Sequence, residues 1–153
     1  MNTEAAVSRA MISLVIPVYN EEGNLQRLME RIEPVMRGMR RPYEVIFVDD
    51  GSRDRSLQIL GELAKAPEVR VVELTRNYGQ HAAILAGFSL VRGEFVVTLD
   101  ADLQNPPEEI PRLVETMEQG GFDVVGSIRK GRKDSFFRIL PSKVVNMVAR
   151  RIT

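Results

Sequence analysis

The residues best suited to chemistry are Asp100-Ala101-Asp102, which follow the apolar run Phe95–Leu99. Residues two apart on an extended strand face the same way, so both carboxylates can point at one cation. Carboxylate oxygens suit magnesium or manganese, ions that bridge to substrate phosphates. Two negative charges after an apolar strand cost free energy unless a cation or hydrogen bonds offset them. Acidic residues also form turns and caps, and the triplet alone leaves that role open.

A second pair, Asp49-Asp50, ends the run that starts at Tyr43 and leads into Gly51-Ser52. Adjacent residues at a strand end point apart, so one carboxylate can brace the sheet while the other faces a ligand. Asp50, beside Gly51, is the candidate acceptor for a nucleobase N–H; a tight turn with Asp and Ser capping the next helix fits the same residues. Pro17-Val18-Tyr19-Asn20-Glu21 leaves the first apolar run. Tyr19 there can stack on a base, a contact of about 1–3 kcal/mol, or sit as a half-buried aromatic. Arg76-Asn77-Tyr78-Gly79-Gln80-His81 enters a helix whose N-terminus could hold sugar hydroxyls or phosphate. His81 reads more simply as a structural hydrogen-bonder, because a general base needs a partner geometry.

The elements that must position these residues are five short apolar runs: Ile12–Val18, Tyr43–Val48, Val69–Leu74, Phe95–Leu99 and Asp123–Gly126. They are mostly apolar on both faces, as strands covered on two sides are. Helical stretches are predicted at about 22–39, 53–66, 80–91 and 107–119. Leu25, Leu28, Met29, Ile32 and Met36 supply the helical spacing of the first. Asn105 is expected to cap the fourth, with Pro106 at its first position and Glu108 three residues after the cap, and Gly120-Gly121 to end it. Strand and helix alternate, so the fold class is α/β: a mostly parallel sheet with helices on both faces and right-handed crossovers. Such sheets bind ligands beyond the carboxyl ends of their strands, where the unusual residues gather.

The 153 residues suit one domain. Without cysteine and with one histidine, a thiolate site and a zinc ligand set are excluded, so any metal must be held by oxygen. No Gly-rich loop follows the first run, which argues against a dinucleotide-binding dehydrogenase and a P-loop NTPase. The net charge is zero, which argues against nucleic acid as partner. The charge is uneven, however. The stretch from Arg129 to the end holds eight basic residues against Asp134 alone, which suggests an anionic surface or phosphate there. Ser135–Ile152 reads as an amphipathic helix that packs on the core or lies on a membrane surface. The apolar stretch Met11–Val18 is too short to span a membrane and lacks the marks of a signal peptide, so the chain reads as cytoplasmic.

Four stretches, "VIPVYNEEGNL", "VIFVDDGSRDRS", "LTRNYGQHAAILAGF" and "LDADLQNPPEEIPRL", occur in order. Together they resemble family 2 glycosyltransferases, in the branch that moves sugars onto polyprenyl phosphates and that includes dolichyl-phosphate mannose synthases. "RNYGQHAAI" with "DADLQNPPEEIPRL" is similar to the members that modify lipid A. The resemblance covers nearly all of 12–153, leaving 1–11 as an N-terminal tail. It implies a GT-A fold, a UDP-sugar donor, a polyprenyl-phosphate acceptor and inverting transfer that uses Mg2+ or Mn2+.

Carried over, Pro17, Tyr19 and Glu21 would line the uridine pocket and Asp50 would read the uracil edge. Asp100, Asp102 and Gln104 would hold the metal on the diphosphate, with Ala101 between them. Arg129, Ser135 and Arg138 would lie near donor diphosphate and lipid phosphate, Arg129 taking part in catalysis. The resemblance also implies a site at the cytoplasmic face of the bacterial inner membrane, with the basic region against the bilayer; a homo-oligomer is compatible with the sequence. Family members run to roughly twice this length, so the expectation is a C-terminally truncated, donor-binding part whose acceptor-side acid falls beyond Thr153.

Overall fold

A computed structural model describes residues 10–126. Four strands form one parallel sheet: β1 (Ile12–Val18), β2 (Tyr43–Asp49), β3 (Val69–Glu73) and β4 (Phe95–Thr98), in the order β3-β2-β1-β4. Four helices alternate with them: α1 (Leu25–Met39), α2 (Ser56–Leu63), α3 (Gln80–Phe88) and α4 (Ile110–Gly120), the last entered through a 3-10 turn at Pro107–Glu109. The sheet and helices belong to a compact unit that ends at Asp123. β1 and β2 are covered on both faces, as the sequence predicts, whereas β3 is only partly buried and β4 alternates between half-buried and exposed residues. On one face, Ile12, Leu14 and Ile16 of β1 and Val45 and Phe47 of β2 pack with Leu28 and Ile32 of α1, Leu60 of α2 and Ile110 and Val114 of α4. On the other, Ile46 and Val48 meet Ala83 of α3. Gly87 allows that helix to approach closely: a Cβ there would stand 2.4 Å from Val15 Cγ1.

Several helices start later or end earlier than predicted. α1 starts at Leu25 rather than near residue 22, and the amides of Glu21 and Glu22 ahead of it go to Ser56 Oγ and Asp54 Oδ2. α2 starts at Ser56, and the amides of Arg53 and Arg55 ahead of it go to Asn20 Oδ1 and Glu22 Oε2. Beyond α3, the Arg92 and Gly93 amides go to Glu44 Oε1 and Ser13 Oγ. Ser13 and Glu44 are buried and hydrogen-bonded at 2.7 Å, and Arg70 reaches Glu44 Oε2 at 3.1 Å and Leu90 O at 2.8 Å. This network staples the α3–β4 connection to the amino ends of β1 and β2.

Two expectations are corrected. Asn105 does not cap the fourth helix; its side-chain amide donates to Asp100 Oδ2, Pro106 takes the cap position of the 3-10 turn, and Glu108 pairs with Arg31. Asp123–Gly126 forms no strand. Strand geometry persists through ladder hydrogen bonds to a neighbour, and these residues make none among the described residues. Gly121 does end α4, at φ 59°, with the Phe122 amide returning to Met117 O. Among the described residues no helix is long and apolar enough to cross a membrane. The predicted amphipathic stretch Ser135–Ile152 lies outside the described residues.

Candidate active site

Beyond the carboxyl ends of β1, β2 and β4 lies a cavity of about 320 Å³. β1 and its exit supply Pro17, Val18, Tyr19 and Glu21; β2 supplies Asp50; the loop into α3 supplies Asn77, Gly79 and Gln80; the turn after β4 supplies Asp100, Ala101 and Asp102. The structure thus brings Pro17, Tyr19, Glu21, Asp50, Asp100, Ala101 and Asp102 to one cavity. Gln104 is exposed and absent from the lining; its backbone amide donates to Asp102 Oδ1 at 3.0 Å. Arg129, Ser135 and Arg138 lie outside the described residues. His81 is exposed and also absent from the lining.

The two aspartates at the end of β2 divide as their opposite directions require. Asp49 is buried on the α1 and α2 side, accepting the Ser52 amide at Oδ2 (3.1 Å), while its Oδ1 is buried without a hydrogen-bond partner. The turn-forming role therefore falls to Asp49. Asp50, only 2% exposed, accepts the Tyr78 amide at Oδ1 (2.7 Å) and the Gly79 amide at Oδ2 (2.8 Å). Both oxygens already brace the α3 entry loop, and each keeps a second lone pair for a further donor. Tyr19 is 42% exposed, so its ring can receive a planar ligand.

A clasp of reciprocal side-chain to backbone bonds holds the β1 exit. Asn20, at φ 56°, donates its amide to Ser52 Oγ and accepts the Arg53 amide. Asp54 accepts the amides of both Glu22 and Ser56. Burial pushes the Asp54 carboxyl up, but the hydrogen bonds from Ser56 and Glu22 outweigh it and hold the group below the usual range. Sequence reasoning missed this clasp; the closely spaced Ser52, Asp54 and Ser56 were its only local signal. It also gave Gln80 no individual role, although a polar residue at the first position of a helix that enters the site was there to be weighed.

Asp100 and Asp102 converge for a reason other than strand alternation. β4 ends at Thr98, and Asp100–Leu103 leaves the sheet as a turn, with Leu103 at φ 62°. Pairing of β4 with β1 stops at Val15↔Thr98, apart from the Leu99 amide on Val15 O, so no ladder extends strand geometry to the aspartates. Asp100 is held between two side-chain amides, Gln80 Nε2 on Oδ1 (2.8 Å) and Asn105 Nδ2 on Oδ2 (2.9 Å). Among the described residues, four that line the cavity are carboxylates (Glu21, Asp50, Asp100 and Asp102) and none is Lys or Arg. Among the described residues no cluster of three or more acidic, His or Cys side chains forms a metal cage. Two hard oxygen donors on one open wall do fit a magnesium-type ion that takes its other ligands from water and phosphate.

The sequence pattern of glycosyl transferase family 2 matches residues 13–152. The chain belongs to this family. Among family 2 relatives, the undecaprenyl-phosphate 4-deoxy-4-formamido-L-arabinose transferase of Pseudomonas paraeruginosa is 57% identical over 145 residues, covering 94% of this chain and 42% of the relative. The protein of that name from Pectobacterium atrosepticum is 57% identical over 144 residues, 93% and 44% of the two chains. The chain thus spans less than half the length of these relatives. Glucosyl-3-phosphoglycerate synthase of Mycobacterium tuberculosis, solved with UDP, superposes with a TM-score of 0.65 at 31% identity, over 84% of this chain and 48% of that one. A mannosyltransferase of Pyrobaculum calidifontis, solved with GDP-Man and Mn2+, gives 0.64 at 23% identity, over 83% and 38%. These likenesses make the sheet a GT-A glycosyltransferase fold.

Proposed function

We propose that the chain carries the donor side of an inverting glycosyltransferase that passes a sugar from a UDP-sugar to undecaprenyl or another polyprenyl phosphate. The observation that carries this reading is the cavity in which Tyr19 stands with four carboxylates, Glu21, Asp50, Asp100 and Asp102. Such a wall repels a diphosphate, and a divalent cation between the like charges offsets that repulsion. The names of the 57% identical relatives support the acceptor class and 4-deoxy-4-formamido-L-arabinose as the sugar, and lipid A modification is the setting we assign to the reaction.

Tyr19 stacks on the uracil and Asp50 accepts its N–H, which fixes the base end. Pro17 and Glu21 close the wall around the ribose. Asp100 and Asp102 face the diphosphate and would hold Mg2+ or Mn2+ there. The ion, when bound, supplies positive charge against the departing UDP. A phosphate oxygen of the lipid attacks the anomeric carbon from the face opposite UDP; that C–O bond forms as the bond to the diphosphate oxygen breaks, and the configuration inverts. Lipid phosphate is already anionic, so it needs less help from a general base than a sugar hydroxyl would. Arg129, Ser135 and Arg138 are the residues we assign to the phosphates, with the basic stretch against the cytoplasmic face of the inner membrane.

Titration with UDP tests this reading. Binding should require Mn2+ or Mg2+ and disappear in chelator; equal affinity in chelator would remove the carboxylate–metal assignment. A transfer assay with polyprenyl phosphate then separates turnover from UDP-sugar binding alone.

A further inference from the structure

Asp100 is anchored from two directions. Asn105 comes from its own loop, five residues away, whereas Gln80 comes from another element and crosses the cavity to Oδ1. Gln80 is itself rigidly mounted. The preceding residues Tyr78 and Gly79 donate consecutive amides to the two oxygens of buried Asp50. Gly79 stands at φ 94°, a conformation that side-chain-bearing residues rarely adopt. One residue later α3 begins, and Ala82 and Ala83 return their amides to Gly79 O. Two residues before Tyr78, the same strap runs directly over Gly51, where a Cβ would meet Arg76 C at 2.6 Å. A strap pinned at Asp50 and Gly51 therefore delivers one amide to Asp100, linking the exit of β2 to the exit of β4.

We propose that Gln80 is a positioning residue that holds the Asp100 carboxylate in register with the Asp50 end of the cavity, so that one ligand can engage both. This rests on the nucleotide reading above and deepens it. Asp50 marks the base end and Asp100 the diphosphate end, and the Gln80 side chain sets their relation without touching the reacting bond. Without it, Asp100 keeps one local donor and can swing about its own turn. The base end, held by Asp50 and Tyr19, is unaffected.

The test uses the full 153-residue chain and two variants: Gln80→Ala, and Gln80→Met, which keeps the length and loses the amide. UDP in Mn2+ and uridine without metal are titrated separately. Both variants should weaken UDP–Mn2+ binding by about tenfold, the scale of one hydrogen bond to a charged group, while uridine affinity stays within about twofold and circular dichroism is unchanged. A Gln80→Met chain that binds UDP–Mn2+ like the parent overturns the inference alone. Equal losses for UDP and uridine also overturn it, since they would mark general damage to the strap. A parent chain that binds no UDP overturns the nucleotide reading and this inference with it.

Discussion

The Ser56 hydroxyl accepts the Glu21 amide at 2.8 Å, so the first residue of α2 holds the loop that carries Tyr19 and Glu21 into the cavity. Ser56 is fully buried. Ser56→Ala leaves that amide without its acceptor, and an unsatisfied buried donor costs about 1–3 kcal/mol. The urea midpoint should fall accordingly, and UDP affinity with it, because the loop then loses one of its two part-buried anchors and keeps the Glu22 amide on Asp54. An unchanged midpoint would mean that water reaches the Glu21 amide.

Gly51 lies at φ 69°, and an added Cβ would meet three backbone atoms of Arg76 and Asn77 at 2.6–2.8 Å. Backbone cannot swing aside as a side-chain tip can. Gly51→Ala should therefore cost about 1–3 kcal/mol and speed hydrogen exchange at the Tyr78 and Gly79 amides by lifting the strap off Asp50. Gly61, in α2 with nothing within 4 Å, is the control. Gly61→Ala should stabilise by about 0.5–1 kcal/mol and leave those two amides as they were.

Strands β1 to β4 were legible as β-branched runs bounded by turns, although only β1 and β2 are buried on both faces. The membership of the cavity was legible because Tyr19, Asp50, Asp100 and Asp102 each stand just past such a run, where parallel sheets gather ligands. The bonds that hold the loops flanking the helices were not legible, because they join pairs such as Asn20 with Arg53 and Ser13 with Gly93, distant in sequence and brought together only by folding. The convergence of Asp100 and Asp102 was expected on the wrong ground: the turn, not strand alternation, puts both on the cavity. The Gln80–Asp100 bond has no local signature at all, since twenty residues separate donor and acceptor.

Glu44 makes stability depend on pH. Burial pushes its carboxyl up, but the Ser13 hydroxyl, the Arg92 amide and the Arg70 guanidinium outweigh burial and hold it below the ordinary 4.5. A depressed folded pKa contributes stability that is present above the unfolded value and lost as pH falls through the folded one. Glu44→Gln should be about 2 kcal/mol less stable at neutral pH, with the gap to the parent narrowing as the medium is acidified below about pH 4.5. Urea unfolding of both proteins across that range checks it; a gap independent of pH would mean that the carboxylate charge contributes nothing.

Asp100 and Asp102 should separate by what each supports besides a cation. Either alanine variant removes one of two oxygen donors and should weaken Mn2+-dependent UDP binding by about tenfold, or 1.4 kcal/mol. Among the described residues, Asp102→Ala otherwise removes the acceptor of the nearby Gln104 amide, a bond within its own turn. Asp100→Ala also removes the acceptor of Gln80 and Asn105, so the link between the β2 and β4 exits is lost. The Gln80 and Asn105 side-chain amide resonances should therefore move in Asp100→Ala and stay put in Asp102→Ala. An Asp102→Ala chain that titrates with UDP like the parent would return Asp102 to a purely structural turn role, and identical amide spectra in the two variants would disconnect Asp100 from the strap.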